Sequence, residues 1–354
     1  MKLLVRSPGI LTTVQDLGRW GHQAIGMPVA GAMDPMALRR GNIMVHNDPG
    51  AAALEITVVG PKLAVQGSGI VTLAGGDLGM MVNGTHVQPW TTVAVKDGDV
   101  VSFSGMKDGL CRGYLCVAGG IDVPPLMGSR STYLRGKIGG LQGRALKAGD
   151  ELETGSPYIL GERCVGFVCP EDLRPDYSPS RRMDVVPGPQ DDLFTDEGIK
   201  TFLSEEYVVS AAADRMGYRM EGPTIEHVDG ADIVSDAICL GAVQVPGHGQ
   251  PIVMMADRQT TGGYTKIAVL TANSVARLAQ RLPGEPVRFS AMSQDQAIIE
   301  AREERGRLES LRLALEGWIA DPARDEKELV EPATEGQCRI TVDGETYEVE
   351  WEKI

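Results

Sequence analysis

Turn signals at "GSG", "GGD", "NG" and "KDGD" cut the run from Leu54 to Gly119 into short segments rich in Val, Ile and Thr. Segments of that kind read as strands, and their close spacing dictates a β-rich fold. "MMVNGTHV" is the clearest hairpin, with Asn83-Gly84 as the two residues of a type I′ turn. Composition agrees: Gly (44) and Pro (21) are plentiful and aromatics make up 5%, so strands should outnumber helices. A length of 354 residues suits one large or two medium domains with a sizeable core.

Helix signals are few and local. In "GAMDPMALRRGNIMVHN", Asp34 precedes Pro35 and an apolar-periodic run, which predicts a helix capped by Asp34 rather than a catalytic aspartate. "TANSVARLAQRLPG" predicts a second helix, and "SQDQAIIEAREERGRLESLRLALEGWIA" a third that opens with a Ser293/Gln296 capping box. A Pro- and charge-rich stretch, "LGERCVGFVCPEDLRPDYSPSRR", reads as a crossing segment between two lobes. "VGPKLAVQGSGIVTLAG" with "DGDVVSFSGM" is faintly echoed by "EGPTIEHVDGADIVSDA" with "PGEPVRFSAM", which allows an internal duplication. The expected domains are a first β-rich lobe over 1–155, a second over 156–305 carrying the "ADRQTTGGY" stretch, and a helix with an acidic tail over 306–354. In that tail, Ile340, Val342, Tyr347, Val349 and Trp351 nearly alternate around Asp343-Gly344, the pattern of a β-hairpin.

The formal net charge of −14 argues against nucleic acid as a partner, because phosphate neutralisation needs clustered Lys and Arg. About half of the excess lies in Trp318–Ile354, with eleven acids against four bases. No apolar run approaches a membrane span and the first residues lack a secretory pattern, so a cytoplasmic protein with no membrane partner is expected. Cys111/Cys116 and Cys164/Cys169 share a four-residue gap but have no neighbouring His, so buried thiols are expected and no metal site.

Walker, dinucleotide-binding, zincin and nucleophile-elbow motifs are all absent, so any use of ATP needs a partner. The candidate chemistry lies in "MMADRQTTGGYTKIAVL". There Asp257, Gln259, Thr260 and Thr261 set polar groups at the expected end of a buried strand, and Gly262-Gly263 allow close backbone approach. Tyr264 and Lys266 follow. Gln244 sits between Val243 and Val245, where a buried amide needs partners, and His248 stands on a glycine-flanked loop that is better read as solvent-facing. "ADRMGYRMEG" supplies Asp214 and Arg215, either a structural ion pair or an arginine that orients a carboxylate. Gln15, Asp16, Arg19 and Glu55 come from the first lobe, and Glu55, inside an apolar strand, must be paired or at an opening.

"ILTTVQDLGRWG", "GMPVAGAMDPMAL", "AALEIT", "ADRMGYRMEGP", "GAVQVPGHGQPIVMMADRQTTGGYTKIAVL" and "LAQRLPGE" together closely resemble the family of 5-oxoprolinase C subunits. That family is also described as KipI-antagonist or allophanate-hydrolase-subunit-2-like, and is related to the carboxyltransferase domain of urea amidolyase. The resemblance runs in order from about Leu3 to Met292. It implies a mainly β protein with some α, built from two β-rich, cyclophilin-like barrel lobes plus a C-terminal helix and a short hairpin tail. It also implies a complex with the A and B subunits of 5-oxoprolinase that opens 5-oxo-L-proline to glutamate, with ATP used through the assembled complex.

On this reading Asp257, Gln259, Lys266 and Arg215 are the expected catalytic residues. Gln244, Thr260, Thr261, Tyr264, Glu55 and Asp214 are the expected contacts of a small amide substrate. Two other readings stand beside it: a biotin-dependent urea or amide carboxyltransferase component, and a non-enzymatic antagonist of a kinase inhibitor. The tail resembles the opening strands of a biotin-carrier domain but carries no Met-Lys-Met site, so a docking hairpin is expected in place of a complete carrier.

Overall fold

A computed structural model describes residues 1–157, 161–322, 335–342 and 345–352. The first lobe packs two antiparallel sheets face to face. The six-stranded sheet runs Glu151–Glu153, Lys2–Ser7, Lys62–Gln66, Val100–Phe103, Met80–Val82, Thr85–His86. The five-stranded sheet runs Leu11–Gln15, Ala53–Thr57, Arg112–Val117, Gly69–Gly75, Thr92–Val95. Leu3, Leu63 and Val101 from one sheet meet Val14, Leu54, Leu73 and Leu115 from the other in a shared core. The predicted hairpin is present: Val82 pairs with Thr85, and Asn83 and Gly84 take φ of 52° and 81°, the double positive φ of a type I′ turn.

The second lobe is one eight-stranded sheet in the order Pro286–Val287, Tyr207–Val209, Gly217–Glu221, Ile252–Met254, Ala242–Gln244, Lys266–Leu270, Met183–Pro187, Phe289–Ala291. Its two outermost strands are joined through Arg288 alone, so the sheet must curl on itself into a nearly closed barrel. Its core includes Phe202, Tyr207, Val253 and Phe289, with Met33 from the first lobe inserted among them. The fold is thus mainly β with two β-rich lobes, as the sequence implied. The segments expected to mirror each other do not match strand for strand. Lys62–Gln66 is a sheet strand, whereas the stretch around His227 makes only an isolated bridge to Phe194.

Four α-helices lie among the described residues: α1 (Pro35–Met44), α2 (Asp196–Ser204), α3 (Ala272–Ala279) and α4 (Gln294–Ala320). Asp34 caps α1 by accepting from Met36 and Ala37 N–H, and Ser293 and Gln296 close both halves of the capping box on α4. The boundary drawn at 305 falls inside α4, whose Leu311, Leu315 and Ile319 pack with Leu38 and Met44 of α1. Cys164, Phe167 and Cys169 of the crossing segment join the same cluster, so that segment covers the outer face of the five-stranded sheet. Cys111, Cys116, Cys164 and Cys169 are buried, as expected, whereas Cys239 is exposed. Glu335–Val342 and Glu345–Glu352 pair in register as the tail hairpin, with Asp343 and Gly344 themselves outside the described residues. No described helix is long and apolar enough to cross a membrane.

Candidate functional site

The five-stranded sheet has an apolar face toward its own core and a partly polar face toward α1 and the second lobe. Cross-strand pairing fixes which residues share that polar face: Thr13 lies opposite Glu55, and Glu55 opposite Tyr114. Glu55 is 2% exposed, so its charge demands partners. Its Oε2 accepts from Tyr114 Oη (2.7 Å) and from Met33 N–H (2.8 Å), while Oε1 accepts from Arg215 of the other lobe.

Arg215 enters from the turn before Gly217–Glu221 and reaches across to the first lobe. Its Nε and Nη2 grip Asp257 at 3.1 and 3.0 Å, Nη1 reaches Glu55, and Nη2 also donates to Gly31 O at 2.5 Å. Four of the five guanidinium N–H groups are therefore committed to protein acceptors. Arg215 is thus ion-paired with Asp257 and Glu55 and not with its sequence neighbour Asp214, which pairs with Arg135. It has little left to offer a developing oxyanion.

Burial disfavours the Arg215 charge, yet Asp257 and Glu55 hold it above the ordinary arginine range. Asp257 is 3% exposed, and burial pushes its pKa up although Arg215 pulls it down.

Beside this ion pair lies a cleft of about 340 Å³ between the lobes, walled by Asp257, Arg215 and Asp214 with Arg112, Arg135 and Tyr218. Asp214 shapes its own loop by accepting from Met216 and Gly217 N–H (2.7 and 3.2 Å) and pairs with Arg135 across the lobes at 3.0 Å. Arg112, Tyr114 and Tyr218 were not singled out from the sequence. The signal was there: "RGYLCV" puts Arg and Tyr at alternate positions of a strand that is buried throughout.

Other sequence candidates gather elsewhere in the second lobe. Thr261–Tyr264 is a strand paired with Asp232–Ala237 in a separate two-stranded ribbon. Thr261 and Tyr264 are exposed on it, and Thr260 contributes its carbonyl to Ile238 N–H at 3.0 Å. The carboxamides of Gln244 and Gln259 converge over Gly262, where a Cβ would lie 2.9 Å from Gln244 Nε2 and 2.6 Å from Ile238 Cδ1. Gln244 Nε2 also donates to Tyr264 O (3.4 Å). Lys266 is buried, and its Nζ bonds Asp236 of the ribbon at 2.9 Å, which holds the Asp236 carboxyl below its usual range. None of Gln244, Gln259, Thr260, Thr261, Tyr264 and Lys266 lines the interlobe cleft. His248 is exposed on its loop.

Asp34 carries more than a helix cap. Fully buried, it also accepts from Tyr177 Oη (2.5 Å) and Gln280 Nε2 (2.9 Å), and its backbone N–H donates to Tyr114 Oη (2.8 Å). A continuous hydrogen-bonded path therefore joins Asp257, Arg215, Glu55, Tyr114 and the start of α1. Burial raises the Asp34 pKa against the pull of those donors.

Among the described residues no cluster of His, Cys, Asp and Glu could hold a metal ion. Residues 25–291 match the family described as carboxyltransferase domain, subdomain A and B. The chain is 37% identical to the C subunit of 5-oxoprolinase from Haemophilus influenzae over 85% of its own length and 94% of that protein. It is 36% identical to the corresponding C subunit from Escherichia coli over 84% and 94%. Among solved structures it superposes on the urea amidolyase of K. lactis with a TM-score of 0.82 at 30% identity, covering 88% of this chain and 20% of that one.

Proposed function

Because the chain belongs to the family of 5-oxoprolinase C subunits, built on the carboxyltransferase domain, we propose that it is the C subunit of an ATP-dependent 5-oxoprolinase. With the A and B subunits it opens 5-oxo-L-proline to L-glutamate in the cytoplasm. The observation that carries this reading is the match to two C subunits over 94% of their length.

Lactam hydrolysis adds water across a C–N bond: the water oxygen bonds to the carbonyl carbon, the ring C–N bond breaks, and the nitrogen leaves with a proton. Two demands follow, a base for the water proton and donors for the carbonyl oxygen as it gains charge. Asp257 meets the first, as a cleft-lining carboxylate fixed in orientation by Arg215. ATP supplies activation of the carbonyl oxygen and enters through the other two subunits, since the chain has no nucleotide loop. Lys266, Gln259 and Gln244 serve as a second polar group near the ribbon, and Thr260, Thr261 and Tyr264 ride on or beside it.

Biotin-dependent carboxyl transfer is the second reading, favoured by the superposition on urea amidolyase. Urea, 5-oxoproline and the biotin ureido ring all place an N–H beside a carbonyl, so one site can serve any of them. Co-expression with the A and B subunits, followed by assay of ATP-dependent glutamate release from 5-oxo-L-proline without biotin, tests the proposal. A requirement for biotin and bicarbonate would transfer the chain to the second reading.

A further inference from the structure

Arg19 and Arg40 are the two largest fully buried side chains among the described residues, and they are treated in opposite ways. Arg40 is saturated: Glu304 takes Nη1 and Nη2 at 2.6 and 3.0 Å, and Leu173 O takes Nε at 2.6 Å. Arg19 has one protein partner, Ser131 O, which accepts from Nη2. Its Nε and Nη1 have none, and no carboxylate is paired with it among the described residues. Leaving guanidinium N–H groups buried and unbonded is costly, so a fold that tolerates it reserves them for something else.

The same stretch of backbone holds a second unmet group. Gln15 spends its amide nitrogen on Thr13 Oγ1 (3.0 Å) and Thr132 O (3.1 Å), while its Oε1 is buried without a partner. Arg19 and Gln15 are thus braced on consecutive carbonyls, Ser131 O and Thr132 O, one offering donors and the other an acceptor. Asp16 locks this loop by accepting from the hydroxyls of Ser129 and Ser131 and from Arg130 N–H.

The loop then continues into the cleft. Tyr133 is half-buried, and Leu134 and Arg135 are cleft walls. Arg19 and Gln15 are not themselves cleft walls, but at about 3.3 Å per extended residue the braces at 131 and 132 lie at most about 10 Å along the chain from that wall. Burial raises the pKa of Tyr133 and Asp257 adds to it, while burial lowers the pKa of Arg19 against Asp16 first and Asp257 second. Asp257, Tyr133 and Arg19 therefore share one electrostatic neighbourhood.

We propose that Arg19 and Gln15 are substrate-contacting residues, the Arg19 guanidinium taking the carbonyl oxygen of a small amide and Gln15 Oε1 taking its N–H. The inference rests on the amide reading above and supplies what that reading lacked, a cationic donor not already spent on protein carboxylates.

The test uses the full chain and the assembled complex. Saturation-transfer NMR with 2-pyrrolidone, a neutral lactam, should show binding to the wild-type chain. Arg19→Met and Gln15→Leu should each weaken it at least about tenfold, the loss expected when a buried polar partner is left unmatched. Arg19→Lys should fall between. In the complex, Arg19→Met should lower kcat by about 10²–10³-fold, the usual effect of losing an oxyanion donor, with a smaller change in KM. Its melting temperature should equal or exceed that of the wild type, because unbonded N–H groups leave the interior.

No lactam binding by the wild type, or wild-type binding by Arg19→Met or Gln15→Leu, overturns the inference. Gln15→Leu keeps the test open if Arg19→Met does not fold. Lactam binding without ATP-coupled hydrolysis by the complex sinks the hydrolase reading and leaves this site standing, whereas wild-type hydrolysis by Arg19→Met does the reverse.

Discussion

Removing Arg215 should destabilise the protein far more than removing any cation that touches solvent. Arg215→Met preserves most of the apolar stem but strands two carboxylates, Glu55 at 2% and Asp257 at 3% exposure, in the lobe interface. Breaking a buried ion pair by deleting one partner costs about 3–5 kcal/mol. At 2–4 °C per kcal/mol, typical of domains near this size, the melting temperature should fall by roughly 6–20 °C.

The deficit should also depend on pH with a definite sign. Burial already sets the folded-state pKa of Asp257 above its ordinary value, with Arg215 as the main opposing influence. A carboxyl with a raised folded pKa contributes stability that is fully present below its unfolded pKa of about 3.9 and is lost as pH rises through the folded pKa. Without Arg215 that folded pKa moves higher, so the gap between variant and wild type should widen from pH 5 to pH 8. Thermal melts followed by circular dichroism across that range suffice. A gap under about 3 °C, or one independent of pH, would refute the view of Arg215 as the clamp between the lobes.

Asp34→Ala should cost about 2–3 kcal/mol, above the usual ~1 kcal/mol for a cap, because Tyr177 and Gln280 lose a buried acceptor as well; chemical denaturation reads this directly. Lys266→Met should depress turnover of the assembled complex while shifting the melting temperature by only a few degrees, and Asp236→Asn should mimic it if Lys266 acts by anchoring the ribbon. Normal turnover in both would leave Lys266 a structural residue. Ending the chain after Ala320 should leave the main melting transition intact, because the tail strands pair with each other in a sheet of their own; a pull-down against the B subunit of 5-oxoprolinase then reports whether they dock a partner.

Features governed by a few adjacent residues were legible in the sequence. Asp34-Pro35, Asn83-Gly84 and Ser293/Gln296 each fix backbone geometry within one turn, and each does so in the structure. The conformation of Gly262-Gly263 is set from outside: pairing with Asp232–Ala237, some 25 residues earlier in the chain, makes it a strand. The site was half legible for the same reason. Glu55, Arg215 and Asp257 each stood out as charges in apolar surroundings, but nothing local says that residues 160 positions apart meet as one ion cluster. Lys266 stood out equally and went to Asp236 instead. The burial of Asp34 beneath Tyr177 and Gln280 likewise depends on the crossing segment and α3, which no capping rule can foresee.

The central claim is that an amide is opened in a complex in which Asp257, held by Arg215, does the proton work. Its most direct test is single-turnover glutamate release from 5-oxo-L-proline by the complex carrying Asp257→Asn, which removes the carboxylate but keeps its shape and leaves one oxygen to accept from Arg215. The account predicts a loss of about 10²–10⁴-fold in the chemical step, the usual contribution of a general base, with the complex still assembled. Release at the wild-type rate, in the presence of ATP and the absence of biotin, would contradict it.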